Sequence, residues 1–132
     1  MKMVPDTNLL VRLAVDDDPI QRRLAGRTVK EAEAVFVGLH ALCELVWVLR
    51  TRYRFSKAQI VLAIENLRGI ENVIVDQTAV EAGMEAMRSG ADFADGVIAH
   101  EGRTAGGDVF VSFDEKAVAA LEKLGQNVKL LG

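Results

Sequence analysis

The chain predicts an α/β fold, a single domain on a mainly parallel central sheet flanked by helices. Two observations carry this reading. Short β-rich runs alternate with longer helical patterns along the whole length, the arrangement that parallel strands with helical crossovers require. The chain also has 132 residues, half of them apolar, enough for one real core and too apolar for a disordered segment. No internal repeat, low-complexity stretch or linker divides it, so residues 1–132 are expected to form one domain.

The elements follow in order. A first strand covers residues 2–5, with Pro5 at its end because proline donates nothing to a ladder. Leu9, Leu10, Leu13 and Ala14 mark a helix over residues 9–15. Asp17-Asp18-Pro19 breaks it and starts another, with Asp18 as N-cap and Pro19 at the first helical position, running to residue 34. Val35-Phe36-Val37 is a short strand leading through Gly38 into an apolar helix that ends near Tyr53. Ser56 and Gln59 form a capping box for a helix that closes at Gly69, and residues 72–75 form a strand. A second box, Thr78 with Glu81, opens a helix stopping near Gly90. Asp92 caps the next helix, through residue 105. Gly106-Gly107 turns into a strand over 108–113, and a helix over 115–124 and a strand over 127–131 complete the pattern.

Composition narrows the function classes. No apolar run approaches the ~18 residues of a membrane span, and the N-terminus lacks a secretory signal pattern. The single cysteine, Cys43, has no internal disulfide partner and sits among apolar helix residues, which predicts a packing role and a reduced, cytoplasmic setting. A net charge of −3 gives no overall pull toward nucleic acid. Basic residues are nevertheless concentrated at Arg50, Arg52 and Arg54, and at Arg22, Arg23 and Arg27. The first group reads as a helix C-terminus complementing its dipole. It also reads as a phosphate-contacting rim, with Tyr53 available to stack on a base, and the two readings are compatible.

Four carboxylates stand where apolar neighbours dominate. Asp6 directly follows the first strand, Glu44 interrupts the apolar helix, and Asp95 lies within Asp92-Phe93-Ala94-Asp95-Gly96-Val97-Ile98-Ala99. Asp114 closes the strand Val109-Phe110-Val111-Ser112-Phe113. A dry, ionised carboxylate costs several kcal/mol unless compensated, to order of magnitude. A hard divalent cation such as Mg²⁺ or Mn²⁺ would compensate all four. Topology agrees, since ligands of parallel sheets bind beyond the carboxyl ends of strands, and Asp6 and Asp114 occupy two such ends on strands expected to be neighbours. Each acid also has a plain reading. Asp6 and Asp114 can serve as helix caps, Glu44 can pair with a distant arginine, and Asp95 can be a surface position. Gly96 reads either as a close approach of backbone or substrate or as tight helix–sheet packing, and His100 joins Phe93 and Val97 in a core stripe.

In order and spacing, these pieces resemble the PIN-domain ribonucleases, and within them the VapC-type toxins of prokaryotic toxin–antitoxin pairs. The resemblance rests on Asp6-Thr7-Asn8-Leu9-Leu10-Val11-Arg12, the helix-borne Glu44, the Asp92–Ala99 run and Ser112-Phe113-Asp114-Glu115-Lys116-Ala117. It implies that Asp6, Glu44, Asp95 and Asp114 hold Mg²⁺ or Mn²⁺ and act in catalysis. It further implies that Asn8 and Ser112 orient them, with Asp92 as an auxiliary acid. The implied activity is hydrolysis of RNA phosphodiester bonds, in a homodimer that binds a cognate antitoxin. Ser112 stands where threonine is frequent, Gly96 where alanine is commoner, and Pro5 where an aliphatic residue is usual; none of these removes a carboxylate.

Two other classes compete. A receiver-like phosphoacceptor module also gathers acids and Mg²⁺ at strand ends, but it would carry adjacent acids after the first strand and a lysine after the late one. A catalytically inactive PIN-like protein-binding module is the other, and the intact set of acids argues against it. His40 and His100 are expected to be packing or hydrogen-bonding residues.

Overall fold

Three strands, Lys2–Met3 (β1), Ala34–Phe36 (β2) and Val73–Ile74 (β3), pair in parallel in the order β1-β2-β3. Met3 stands opposite Val35, and Val35 opposite Val73. Each parallel step needs a long return path. The first is made by Thr7–Ala14 (α1) and Pro19–Glu31 (α2), the second by Leu39–Thr51 (α3) and Lys57–Arg68 (α4). The computed structural model describes residues 1–132 and divides them into two units, Met1–Asp76 and Gln77–Gly132.

In the first unit Leu10 of α1, Leu42, Leu45 and Leu49 of α3, and Ile60 and Ile64 of α4 are all buried, with Val35 of β2 among the largest enclosed side chains. Each such side chain contributes about 1.5–3 kcal/mol relative to exposure. The caps match their sequence signatures. Asp18 Oδ1 accepts from Gln21 N at 3.0 Å, with Pro19 opening α2. At α4, Gln59 N donates to Ser56 Oγ at 3.2 Å and Ser56 N to Gln59 Oε1 at 2.8 Å, closing both arms of the box. Helix α2 is shorter than its pattern suggests. Ala32 leaves helical geometry, and Asn72 Nδ2 donates to the carbonyls of Val29 and Ala32 at 2.8 and 2.9 Å. A tertiary partner thus satisfies the last carbonyls and frees the chain for β2.

The far end of the α1–α3 pair is tied by three side chains. Arg12 Nη1 lies 2.7 Å from Asp17 Oδ1, Arg12 Nη2 donates to the Tyr53 hydroxyl at 2.9 Å, and that hydroxyl donates to Asp17 Oδ2 at 3.1 Å. Desolvation alone would lower the Arg12 pKa, but Tyr53 and Asp17 more than reverse this and hold it above its ordinary value. Tyr53, considered above for base stacking, is therefore anchored by its hydroxyl.

The second unit packs Gln77–Arg88 (α5) against Phe93–Ala105 (α6), and sets Glu115–Lys123 (α7) beside two parallel strands, Phe110–Ser112 (β4) and Val128–Leu130 (β5). Two glycines set the α5–α6 approach. A Cβ on Gly96 would lie 2.4 Å from the Ala82 carbonyl oxygen and 2.8 Å from Gly83 Cα, and one on Gly83 would meet the Phe93 ring at 2.6 Å. Gly96 therefore answers to helix–helix packing rather than to a sheet or a substrate. The buried face of α6 is Phe93, Gly96, Val97 and Ala99; Ala99 joins the core, while His100 is only half-buried. Helix α6 stops at Gly106, whose φ of 114° places it in the left-handed region that glycine enters without a Cβ penalty.

One further expectation changes. Thr78 lies inside α5, which already begins at Gln77, so it is not the helix cap. No helix is long and apolar enough to cross a membrane.

Candidate metal centre

Helix starts position three of the four acids. Asp6 is the N-cap of α1, its Oδ1 accepting from Leu9 N at 3.0 Å. Asp114 is the N-cap of α7, its Oδ1 accepting from Lys116 N at 2.9 Å and Ala117 N at 3.1 Å. Asp95 occupies the first turn of α6, where its Oδ2 accepts from the backbone N–H of Asp92, the N-cap residue, at 3.2 Å. The unpaired N–H groups of a helix start supply the donors that these carboxylates accept from. Caps of this kind contribute about 1 kcal/mol.

Capping leaves chemistry in reserve. Asp6 and Asp114 cap through Oδ1 alone, so the second oxygen of each carboxylate stays available to a cation. The cap and ligand readings of these residues therefore use different atoms.

Glu44 is held by two neighbours. Thr7, the residue after Asp6, donates its hydroxyl to Glu44 Oε2 at 3.1 Å, bringing the start of α1 against α3. His40, one turn earlier on α3, places Nε2 2.5 Å from Glu44 Oε1. That contact is an ion pair when the imidazole is protonated and a hydrogen bond when it is not. The pair is exposed, with side chains 90% and 52% accessible, so it is worth roughly 0.3–0.5 kcal/mol. The hydrogen-bonding role expected of His40 is this contact with Glu44, whereas the sequence carries no local signal for Thr7, which is 37 positions away.

The supposition of a dry setting does not hold. No polar or charged side chain is buried; Asp6, Glu44 and Asp114 are exposed and Asp95 is half-exposed. Leu42, Leu45, Phe93 and Val97 point inward, while Trp47, Ile98 and Phe113 are as exposed as the acids beside them, so burial is not what sets these carboxylates apart. Of the supporting residues, Ser112 Oγ accepts from Asp114 N at 2.9 Å and so fixes the backbone that carries Asp114. Asn8 is exposed on α1 and holds none of the four acids by a hydrogen bond. Asp92 supplies its N–H to Asp95.

Within the first unit the structure brings Asp6, Thr7, Glu44 and His40 to one end of the α1–α3 pair. Within the second, Asp92 and Asp95 share a helix start and Asp114 begins α7. No group of three or more His, Cys, Asp or Glu side chains is drawn together as a ready-made metal cage. The donor chemistry still fits Mg²⁺ or Mn²⁺. All four are carboxylate oxygens, and Mg²⁺ keeps several waters while binding through one or two carboxylates.

The PIN domain profile matches residues 3–123. The chain belongs to the PIN-domain family. The match runs from β1 to the end of α7 and so passes through both units. Most members of this family are metal-dependent nucleases, which makes nucleic acid the expected substrate. Among curated proteins no sequence matches the chain.

Proposed function

We propose that this PIN domain is a metal-dependent endoribonuclease, with Asp6, Glu44, Asp95 and Asp114 as the residues that hold Mg²⁺ or Mn²⁺. The observation that carries the reading is the exposure of carboxylates at helix starts, with Asp6 and Asp114 each keeping one oxygen unengaged. The family match supports it and removes the receiver-like reading.

When bound, the cation supplies charge neutralisation at the scissile phosphate and lowers the pKa of water to make a usable nucleophile. The residues of the chain do the positioning. Asp6 and Asp114 are fixed by the helices they cap, Glu44 is steadied by Thr7 and His40, and Ser112 sets the backbone before α7. Asn8 and Asp92 stand beside the acids as secondary polar groups. Exhaustive EDTA treatment should abolish cleavage of single-stranded RNA, and added Mg²⁺ should restore it. Cleavage that persists in EDTA would sink the proposal.

The cellular role we propose is the toxin of a VapBC-type pair in the cytoplasm, a homodimer inhibited by a cognate antitoxin. Expression of the chain alone should arrest growth, and co-expression of a small protein encoded beside it should relieve the arrest. An RNase-active chain tolerated at high expression without a partner would contradict the toxin role. Light scattering showing a monomer at high micromolar concentration would remove the dimer. An inactive binding module remains the competing reading, and the EDTA experiment decides between them.

A further inference from the structure

We propose that Trp47 is a stacking platform for an unpaired nucleobase of RNA, beside the Glu44 carboxylate. This rests on the nuclease reading for the meaning of Glu44 and adds a substrate subsite to it.

Trp47 is 57% exposed and lies one turn beyond Glu44 on α3, a rise of about 4.5 Å. It opens onto a surface groove of about 400 Å³ lined by His40, Cys43, Glu44, Trp47 and Val48. That volume lies within the range of about 300–1,000 Å³ typical of small-ligand sites. The lining mixes one large aromatic face with an exposed imidazole and an exposed carboxylate. An apolar protein surface laid over it would take the Glu44–His40 pair out of water, and that desolvation is costly. A base offers a π-face to the indole and hydrogen-bonding edges to the polar groups.

Charge favours the same occupant. Arg52, Arg54 and Lys57 follow directly at the end of α3 and the start of α4, all exposed and none in an ion pair. In a chain of net charge −3, an unneutralised basic cluster at the C-terminal end of the helix that carries an exposed tryptophan matches a single strand, whose phosphates seek cations and whose bases seek aromatic faces. Arg52 lies eight residues beyond Glu44, about 12 Å along the helix axis. A strand seated at Glu44 and Trp47 could therefore reach this cluster with its phosphates.

Trp47 is the only tryptophan, so intrinsic fluorescence reports this position alone. The probe is a six-nucleotide single-stranded oligouridylate titrated into the Asp95→Asn protein in Mg²⁺, with an abasic oligonucleotide of equal length as control. The expected result is saturable quenching by the base-bearing strand and little by the abasic one. In the wild-type background, Trp47→Ala should raise KM by about five- to 150-fold, with kcat nearly unchanged, and Trp47→Phe should recover most of the loss. The inference is overturned if the wild type cleaves, the oligonucleotide leaves the emission unmoved and Trp47→Ala keeps its KM. It is equally overturned if emission shifts to the blue with protein concentration alone, which would mean a second copy covers this face. A wild type that cleaves no RNA would count against the nuclease reading, while the quenching arm still decides the subsite.

Discussion

Thr7 and Glu44 meet across two helices, the threonine hydroxyl donating to Glu44 Oε2 at 3.1 Å. This contact links the segment that carries Asp6 to the helix that carries Glu44, and it sits opposite the Arg12–Asp17–Tyr53 tie at the far end of the same helix pair.

Thr7→Val keeps the side-chain shape and removes the donor. The hydrogen bond is exposed, so the stability loss should stay below about 1.5 kcal/mol. Loss of a group that orients a metal ligand typically costs about 10- to 100-fold in metal affinity or activity. The expected outcome is a rightward shift of that size in the Mg²⁺ dependence of cleavage, with a small change in melting temperature. An unchanged Mg²⁺ dependence would remove Thr7 from the site.

Asp114 separates capping from metal binding. Asparagine is as good an N-cap as aspartate, and alanine is poorer by about 1 kcal/mol. Asp114→Asn should therefore match the wild type in urea denaturation and lose cleavage, whereas Asp114→Ala should lose both. If the asparagine variant cleaves normally, the carboxylate only caps α7.

Local chemistry made much of this fold legible. Asp18-Pro19 and Ser56 with Gln59 announce helix starts through short-range hydrogen bonds, and the structure contains those bonds. What failed was tertiary. The end of α2 depends on Asn72, and the Glu44 partner depends on Thr7. The acids looked dry because their sequence neighbours are apolar, yet a helix start turns its cap residue outward even when the next turn is buried. Gly96 raised a question that only the position of α5 could answer.

That packing gives a stability test away from the site. Gly96→Ala gains about 1 kcal/mol in helix propensity but drives a methyl group into the Ala82 carbonyl oxygen and Gly83 Cα, both backbone atoms that cannot swing aside. Overpacking of this kind costs about 1–3 kcal/mol or more. Net destabilisation in urea is expected, and a more stable variant would contradict the close α5–α6 approach.

Metal binding should register without any reaction. A cation that binds only the folded chain stabilises it by about 2.7 kcal/mol at a hundred times its dissociation constant. Mn²⁺ should raise the melting temperature of the wild type, and Asp95→Asn should remain folded with a smaller rise. A variant that unfolds outright would make Asp95 structural, through its bond to the Asp92 N–H.

On the function we propose, Asp6, Glu44, Asp95 and Asp114 each serve divalent-cation-dependent cleavage of RNA. Single-turnover cleavage of a single-stranded RNA, followed against Mg²⁺ concentration, tests it in one experiment with wild type, Asp6→Asn, Glu44→Gln, Asp95→Asn and Asp114→Asn. Mg²⁺-dependent cleavage by the wild type is expected, with a large loss in every folded variant, since each removes the charge of a proposed cation ligand. Wild-type cleavage that ignores Mg²⁺, or folded variants that all cleave at the wild-type rate, would contradict it.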